Sequence, residues 1–222
     1  MKKYKYIFII TILLGISLCA CSNNNPDESL VFPSDMPHNE MQDSSESIVS
    51  GKVVISFGYE KISGWASNQF AVWFENTDGN YIKTLYATRW TADNGWKTRP
   101  ESIPLWAEKS GLAFMSQSEV NAVAGATPRT SGNLSYTWDL TDTDGNAVLP
   151  GEYKFFVEGS LRWSNRVIYS GIIEIGKMSA ATEADVEFIF EASPNGERLN
   201  NDSPEVSMIG AVTANYFPDA DN

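Results

Sequence analysis

The chain has 222 residues, with 28 Asp or Glu against 16 Lys or Arg, and its formal net charge is −12. A surface this acidic repels phosphate groups, and we therefore expect no nucleic acid partner. The only histidine, His38, lies in a stretch rich in Pro and Ser, and both cysteines lie within the first 21 residues. The folded part has no residues for a disulfide, a thiolate metal site or a histidine-based catalytic site, so we predict that the protein is not an enzyme.

The first 21 residues have the layout of a secretory signal. A positive tip of three lysines precedes an apolar run over residues 7–18, which is too short to span a bilayer comfortably. The closing Leu18-Cys19-Ala20-Cys21 resembles a bacterial lipobox, which implies a signal peptide over residues 1–20 and a lipid on Cys21. Ser22 is not the aspartate that favours inner-membrane retention in some bacteria, so we expect a lipid-anchored protein of the outer membrane. An ordinary signal peptide cleaved nearby is the alternative interpretation.

Composition divides the remaining chain into a tether, a domain and a tail. Residues 21–50 are polar and are interrupted by Pro26, Pro33 and Pro37, which predicts a flexible tether between the anchor and the folded part. The pattern changes abruptly at Lys52, where apolar and polar residues begin to alternate. We predict one domain over residues 51–217 and a short tail over residues 218–222.

Alternation with a period of two predicts about eight β-strands in this domain. It is clearest at the start, where four large apolar residues occupy every second position: Val53, Ile55, Phe57 and Tyr59. The predicted strands cover residues 53–59, 70–74, 81–90, 134–140, 152–159, 166–175, 186–192 and 206–216. Many short strands with Gly- and Pro-rich turns indicate an all-β fold, an antiparallel Ig-like β-sandwich, with a barrel as the competing fold.

The longest irregular stretch lies between residues 91 and 129. One short helix is predicted between residues 99 and 111, because Ile103, Trp106 and Ala107 would share one side of it and Gly111 would end it. Residues 117–130 have weak periodicity and indicate a loop or a helical turn. Since loops of a sandwich carry recognition, we expect this region to carry the binding function.

Two resemblances to known families follow from the motifs. The segment from Tyr136 to Tyr153, with Trp138 and an Asp-Gly turn, resembles the Ig-like module of flagellar hook-capping proteins. A longer series of features, over roughly residues 53–176, resembles the predicted periplasmic proteins of domain-of-unknown-function family 2271; it includes FAVWFENTDGNYIKTL at residues 70–85 and Gly-Glu-Tyr at residues 151–153. The second resemblance implies a sandwich fold, an envelope location and no established activity. It also implies envelope redox proteins as partners, because members tend to be encoded among flavin-transfer and membrane redox proteins.

One motif suggests a cofactor. Asn121-Ala-Val-Ala-Gly-Ala-Thr127 resembles the acceptor site of bacterial flavin transferases, which implies FMN attached to the hydroxyl of Thr127. Gly125 would let the backbone approach the phosphate closely. Asn121 and Ala124 depart from the acidic and hydroxyl residues of that pattern, and a tight turn before Pro128 is the alternative interpretation. We therefore expect no cofactor, with FMN on Thr127 as the alternative.

Tryptophans and an acidic turn complete the list of candidate sites. Trp96 and Trp163 lie beside predicted turns, where an exposed ring could stack on a glycan. Asp142, Asp144 and Asn146 are spaced like calcium ligands but lack a later acidic ligand, so a hairpin turn is predicted and no metal. We predict a lipid-anchored, non-catalytic binding or scaffolding module, with an FMN-carrying electron-transfer protein and a carbohydrate-binding lipoprotein as alternatives.

Overall fold

A computed structural model describes residues 49–64, 67–161, 165–190 and 207–219. All of these residues belong to one compact unit. The described part of the chain forms ten strands: β1 Gly51–Tyr59, β2 Gln69–Asn76, β3 Tyr81–Thr88, β4 Ala124–Gly125, β5 Gly132–Trp138, β6 Gly151–Ser160, β7 Asn165–Ile175, β8 Ala180–Glu183, β9 Asp185–Phe190 and β10 Ile209–Pro218. The eight predicted strands are all present, and β4 and β8 are additional.

Within the described residues, helical structure is confined to the region between β3 and β5. The helices of this region are α1 Trp96–Thr98, α2 Pro104–Lys109 and α3 Gln117–Val123, together with a kinked turn Thr91–Gly95, in which Asp93 and Asn94 are not helical, and a 3₁₀ turn Leu112–Phe114. The predicted short helix is therefore confirmed as α2, whereas α3 replaces a segment predicted only as a loop or helical turn. Among the described residues, no helix is long and apolar enough to cross a membrane.

The strands form two sheets. A four-stranded sheet has the order β5-β1-β10-β8, and a six-stranded sheet has the order β4-β3-β2-β6-β7-β9. Neighbouring strands are antiparallel except β3 and β4, which pair in parallel over two residues. The two separate sheets confirm the all-β antiparallel sandwich rather than the barrel.

The main core lies between the two sheets. The long strands β1, β2, β6 and β10 contribute alternate residues to it, because side chains alternate between the faces of a strand. From β1 these are the residues that the alternation predicted, and all four are buried: Val53, Ile55, Phe57 and Tyr59. Trp138 on β5 stacks on Phe74 of β2 with ring centroids 4.2 Å apart, as expected of a core tryptophan.

The outer face of the six-stranded sheet carries a second apolar cluster. Residues 89–131, which we call the insertion, cross this face between β3 and β5. Trp73 and Ala71 of β2 contact Ile103, Trp106 and other apolar residues of the insertion. Strand β2 is consequently buried on both faces, with the sandwich core on one side and the insertion on the other.

Candidate functional site

A fully buried carboxylate, Glu158 on β6, fixes the first turn of α2. Its Oε1 accepts a hydrogen bond from the Leu105 N–H at 3.2 Å, and its Oε2 accepts one from the Trp106 N–H at 2.8 Å. Arg166 on β7 donates from Nε to Glu158 Oε1 at 2.6 Å. Burial raises the pKa of Glu158, against the opposing effects of the α2 N–H groups and of Arg166. The carboxylate therefore joins the helix to two strands of the sheet.

A second buried carboxylate, Glu75 on β2, fixes the other end of α2. Its Oε1 accepts from the indole Nε1 of Trp73 at 2.9 Å, and its Oε2 accepts from Nζ of Lys109 at 3.1 Å. Between these two ends, the indole Nε1 of Trp106 donates to Thr84 Oγ1 at 2.8 Å. Because α2 is held at both ends and in the middle, its position over the sheet is fixed.

Hydroxyl and amide groups fix the first part of the insertion. Thr91 donates from Oγ1 to Gln69 Oε1 at 3.1 Å and lies 2.8 Å from Ser102 Oγ. Arg99 donates from Nη2 to Ser67 Oγ at 2.8 Å and to Ser102 Oγ at 3.0 Å. Burial lowers the pKa of Arg99, and Glu101 acts in the opposite direction. The turn at residues 91–95 is thus bonded to the end of the sheet that lies below it.

Trp90 is the exposed tryptophan of the insertion. Its side chain is 45% exposed, the guanidinium carbon of Arg99 lies 5.3 Å from its ring centroid, and the backbone of Gly95 packs against its ring. A Cβ at Gly95 would lie 2.6 Å from the ring atom Cε3, so the glycine permits this close approach. The ring is therefore held in one orientation while part of it faces solvent.

Trp96, one of the two tryptophans predicted to bind a ligand, is half-buried. Its ring packs against the apolar cluster under the insertion, and Lys97 Nζ lies 5.4 Å from the ring centroid. The other, Trp163, lies outside the described residues, as does the predicted lipidation site Cys21. A ligand at Trp96 or Trp163 stays a prediction.

A row of exposed polar side chains lies on the same insertion. Arg89 donates from Nη1 to Asn121 Oδ1 at 3.0 Å and from Nη2 to the Ala124 carbonyl at 2.8 Å. Gln117 Nε2 lies 3.4 Å from both Asn121 Oδ1 and Asp93 Oδ1. The row therefore runs from α3 to the turn that follows Trp90.

The start of α3 explains why Gln117 and Asn121 lie together. Ser116 caps the helix by accepting from the Glu119 N–H at 3.3 Å, while the Glu119 carboxylate accepts from the Ser116 N–H at 2.6 Å. Positions 117 and 121 are four residues apart and so share one helix face. The sequence signal Ser-x-x-Glu at residues 116–119 could have revealed this helix, and with it the pair.

Thr127, the predicted acceptor of FMN, follows β4 in a segment held by two tyrosines. The Tyr86 hydroxyl donates to the carbonyl oxygen of the preceding residue at 2.7 Å, and the Tyr59 hydroxyl donates to that of the following residue at 3.2 Å. Burial raises the pKa of Tyr86 to about 12, with a smaller contribution from Tyr59, and burial also raises the pKa of Tyr59. Both phenols are therefore neutral donors at physiological pH.

Contacts with Tyr86 and Gln69 explain the residues at positions 125 and 127 of the flavin-acceptor motif. A Cβ at Gly125 would lie 3.0 Å from Cδ2 of Tyr86 and closer still to Cε2, so the open side of this glycine is filled by the tyrosine ring. Thr127 is half-buried, and its Oγ1 accepts from Nε2 of the buried Gln69 at 3.4 Å. The space that a phosphate would need beside Gly125 is occupied, so the residues as placed do not fit FMN, and attachment at Thr127 stays a prediction.

The predicted turn at residues 142–146 is closed by an isolated antiparallel bridge between Thr141 and Ala147, but β5 and β6 on either side of it lie in different sheets and are not paired as a hairpin. The Asp142 carboxylate accepts from the Asp144 N–H at 2.9 Å and from the Asn146 N–H at 2.8 Å. The side-chain amide of Asn146, whose Nδ2 donates to Asp142 Oδ2 at 3.1 Å, lowers the pKa of Asp142 most, and the backbone N–H groups lower it further. In the part of the chain that the structure describes, no three His, Cys, Asp or Glu side chains gather as metal ligands would.

Comparison with known proteins gives one result for the whole domain. A family model described as "Predicted periplasmic protein (DUF2271)" matches residues 52–187, which is more than half of the chain and extends from β1 into β9. No curated protein and no solved structure matches the chain. The sandwich together with its insertion therefore belongs to the DUF2271 family of predicted periplasmic proteins, as its sequence motifs predicted.

Proposed function

We propose that this chain is a non-catalytic binding or scaffolding module of the cell envelope, tethered to the outer membrane by a lipid on Cys21. The observation that carries the proposal is the fixed position of the insertion. Two buried carboxylates, Glu75 and Glu158, bind the two ends of α2, and the outward side of this layer presents Trp90 and Phe114 to solvent. A rigid sheet that carries an exposed, irregular layer is the usual arrangement of a recognition surface.

Site-specific photo-crosslinking tests the binding role and its location. Phe114, which is 93% exposed, is replaced by p-benzoylphenylalanine in the full-length protein in the cells that produce it. The matched control carries the same residue at position 217, because Phe217 is 48% exposed and lies on β10, outside the insertion. We expect a discrete adduct from position 114 and none from position 217. Equal adducts at both positions, or none at position 114, would contradict the proposal.

The intact mass of membrane-extracted protein tests the anchor and the flavin alternative together. We expect the mass of a chain that begins at Cys21 and carries lipid, without an additional increment of the size of FMN. A chain without lipid would contradict the anchor. An FMN increment that disappears in Thr127→Val would replace the proposed role by that of an electron-transfer protein. Detergent fractionation of inner and outer membranes tests the expected location.

A further inference from the structure

The surface around Trp90 combines an aromatic ring with planar polar groups. Trp90 begins the turn that contains Asp93, and Asp93 ends the hydrogen-bonded row formed with Gln117, Asn121 and Arg89. Sugar rings present apolar C–H groups on their faces and hydroxyl groups around their edges. The exposed Trp90 indole and the carboxylate of Asp93 belong to the same turn, and together with the amides of the row they supply both kinds of contact that such a ligand needs.

Several polar atoms of this row are available to a ligand. The internal bonds use Asn121 Oδ1, Gln117 Nε2 and Asp93 Oδ1. Among the described residues, the structure gives no partner to Asn121 Nδ2, Gln117 Oε1 or Asp93 Oδ2. One donor group and two acceptor atoms of the row are therefore available to a ligand. A sugar hydroxyl group can bond to either kind, because it both donates and accepts hydrogen bonds. The internal bonds meanwhile orient the side chains before a ligand arrives, which lowers the entropic cost of binding.

The charge of the surface favours a neutral ligand. Arg89 and Asp93 contribute one charge of each sign to the row, and the whole chain has a net charge of −12. An anionic polysaccharide or a phosphorylated glycan would be repelled by the chain as a whole. The exposed row offers no group of carboxylates that would select a polycation instead.

We propose that Trp90, Asp93, Gln117 and Asn121 form a binding site for a neutral saccharide. This inference rests on the proposed binding function and assigns its ligand class. One face of a sugar ring stacks on the exposed part of the Trp90 indole, while hydroxyl groups bond to Asn121 Nδ2 and to the free carboxylate oxygen of Asp93. Arg99 and Gly95 hold the indole in place, and the capped α3 holds the two amides.

Binding of neutral oligosaccharides to the full-length protein in detergent tests the site. The probes are gluco-, manno-, galacto- and xylo-oligosaccharides of five to seven units, titrated by isothermal calorimetry. We expect at least one series to bind, Trp90→Ala to weaken it about tenfold or more, and Trp90→Phe to lose less. Asn121→Ala is expected to weaken binding about threefold to tenfold, since it removes one hydrogen-bonding side chain. Phe217→Ala, a matched exposed aromatic, is expected to leave the affinity unchanged.

Each result bears on the proposal. No binding in any series, or affinities that Trp90→Ala and Asn121→Ala leave unchanged, would overturn it, provided that urea denaturation shows both variants to be folded. Adducts at position 114 without saccharide binding would leave the binding module in place and remove only the ligand class. Absence of both adducts and saccharide binding would remove both proposals.

Discussion

Replacement of Glu158 by alanine removes the buried carboxylate that joins α2 to the sheet. The side chain is 0% exposed and accepts three hydrogen bonds, from the Leu105 N–H, the Trp106 N–H and Arg166 Nε. In the variant, the two α2 N–H groups lose their acceptor in a place that excludes water, and Arg166 loses a charged partner. If the carboxylate holds the insertion, the change should loosen the insertion and lower the stability of the whole domain.

The expected loss of unfolding free energy is about 3–5 kcal/mol. Removal of one partner from a buried ion pair typically costs this much. The cost includes about 1–3 kcal/mol for each buried donor that is left without an acceptor. Domains of this size unfold with about 5–15 kcal/mol, so the variant should keep a fold but with a small margin. With a urea dependence of about 2 kcal/mol per M, the unfolding midpoint should fall by about 1.5–2.5 M.

Two measurements check this expectation. Urea denaturation followed by tryptophan fluorescence gives the global change, and limited trypsin digestion under native conditions reports on the insertion, where Lys97 and Lys109 supply cleavage sites. The control is Glu187→Ala, an exposed glutamate on β9 of the same sheet, for which we expect a change within about 0.5 kcal/mol. A loss below about 1 kcal/mol for Glu158→Ala, with unchanged digestion of the insertion, would refute the reasoning.

The pH dependence of this difference gives a second test of the same carboxyl group. Burial raises the native pKa of Glu158 above its ordinary value, so the folded state binds the proton more tightly than the unfolded state. The stability that the group contributes is complete below the ordinary pKa and is lost as the pH rises through the raised native pKa. The difference between wild type and Glu158→Ala should therefore be largest in acidic solution and should shrink as the pH rises. A difference that grows with pH would contradict the direction of the shift.

Two further predictions concern the tyrosine beside the acceptor motif. Gly125→Ala should cost about 1–3 kcal/mol in urea denaturation, because its Cβ would overlap the Tyr86 ring, whereas Gly132→Ala, with open space around it, should be nearly neutral; equal effects would contradict the packing argument. Tyr86→Phe should remove one phenol that titrates near pH 12, as followed by ultraviolet absorbance. Because the native pKa is raised, the stability that Tyr86 contributes should be lost as the pH rises toward that value. Loss of a phenol that titrates near pH 10 instead would contradict the burial of Tyr86.

Sequence alternation was sufficient to predict the sandwich because most of its long strands place alternate residues in the core. β8 could not be predicted in this way: Ala180–Glu183 has small and acidic residues without apolar alternation, and its pairing with β10 is made by residues thirty or more positions away. β4 is only two residues long and depends on parallel pairing with β3. Both strands exist because of tertiary contacts, which a local pattern does not contain.

The candidate site could be predicted from the sequence less well than the fold, because its residues are brought together by tertiary contacts. By alternation, Glu158 should point away from the sandwich core into water, and it does point away from the core, but the insertion covers it completely. Likewise, both Trp90 and Trp96 lie near turns, and only the packing of the insertion distinguishes the exposed ring from the half-buried one. The capping box at Ser116 and Glu119 was the one local signal that pointed toward the polar row, through α3.

The buried carboxylates under α2 help to explain how the insertion is positioned on the sheet. Apolar residues of similar volume would stabilise the packing of the insertion on the six-stranded sheet as well as a buried ion pair does, since burying charges is costly. A carboxylate that accepts from two successive backbone N–H groups fixes the place and direction of the helix start, which apolar packing does less strictly. We infer that Glu75 and Glu158 serve to orient the insertion more than to stabilise the fold. Orientation matters for a surface whose solvent side carries a fixed indole and a bonded row of amides, because such a surface binds best when it is ordered beforehand.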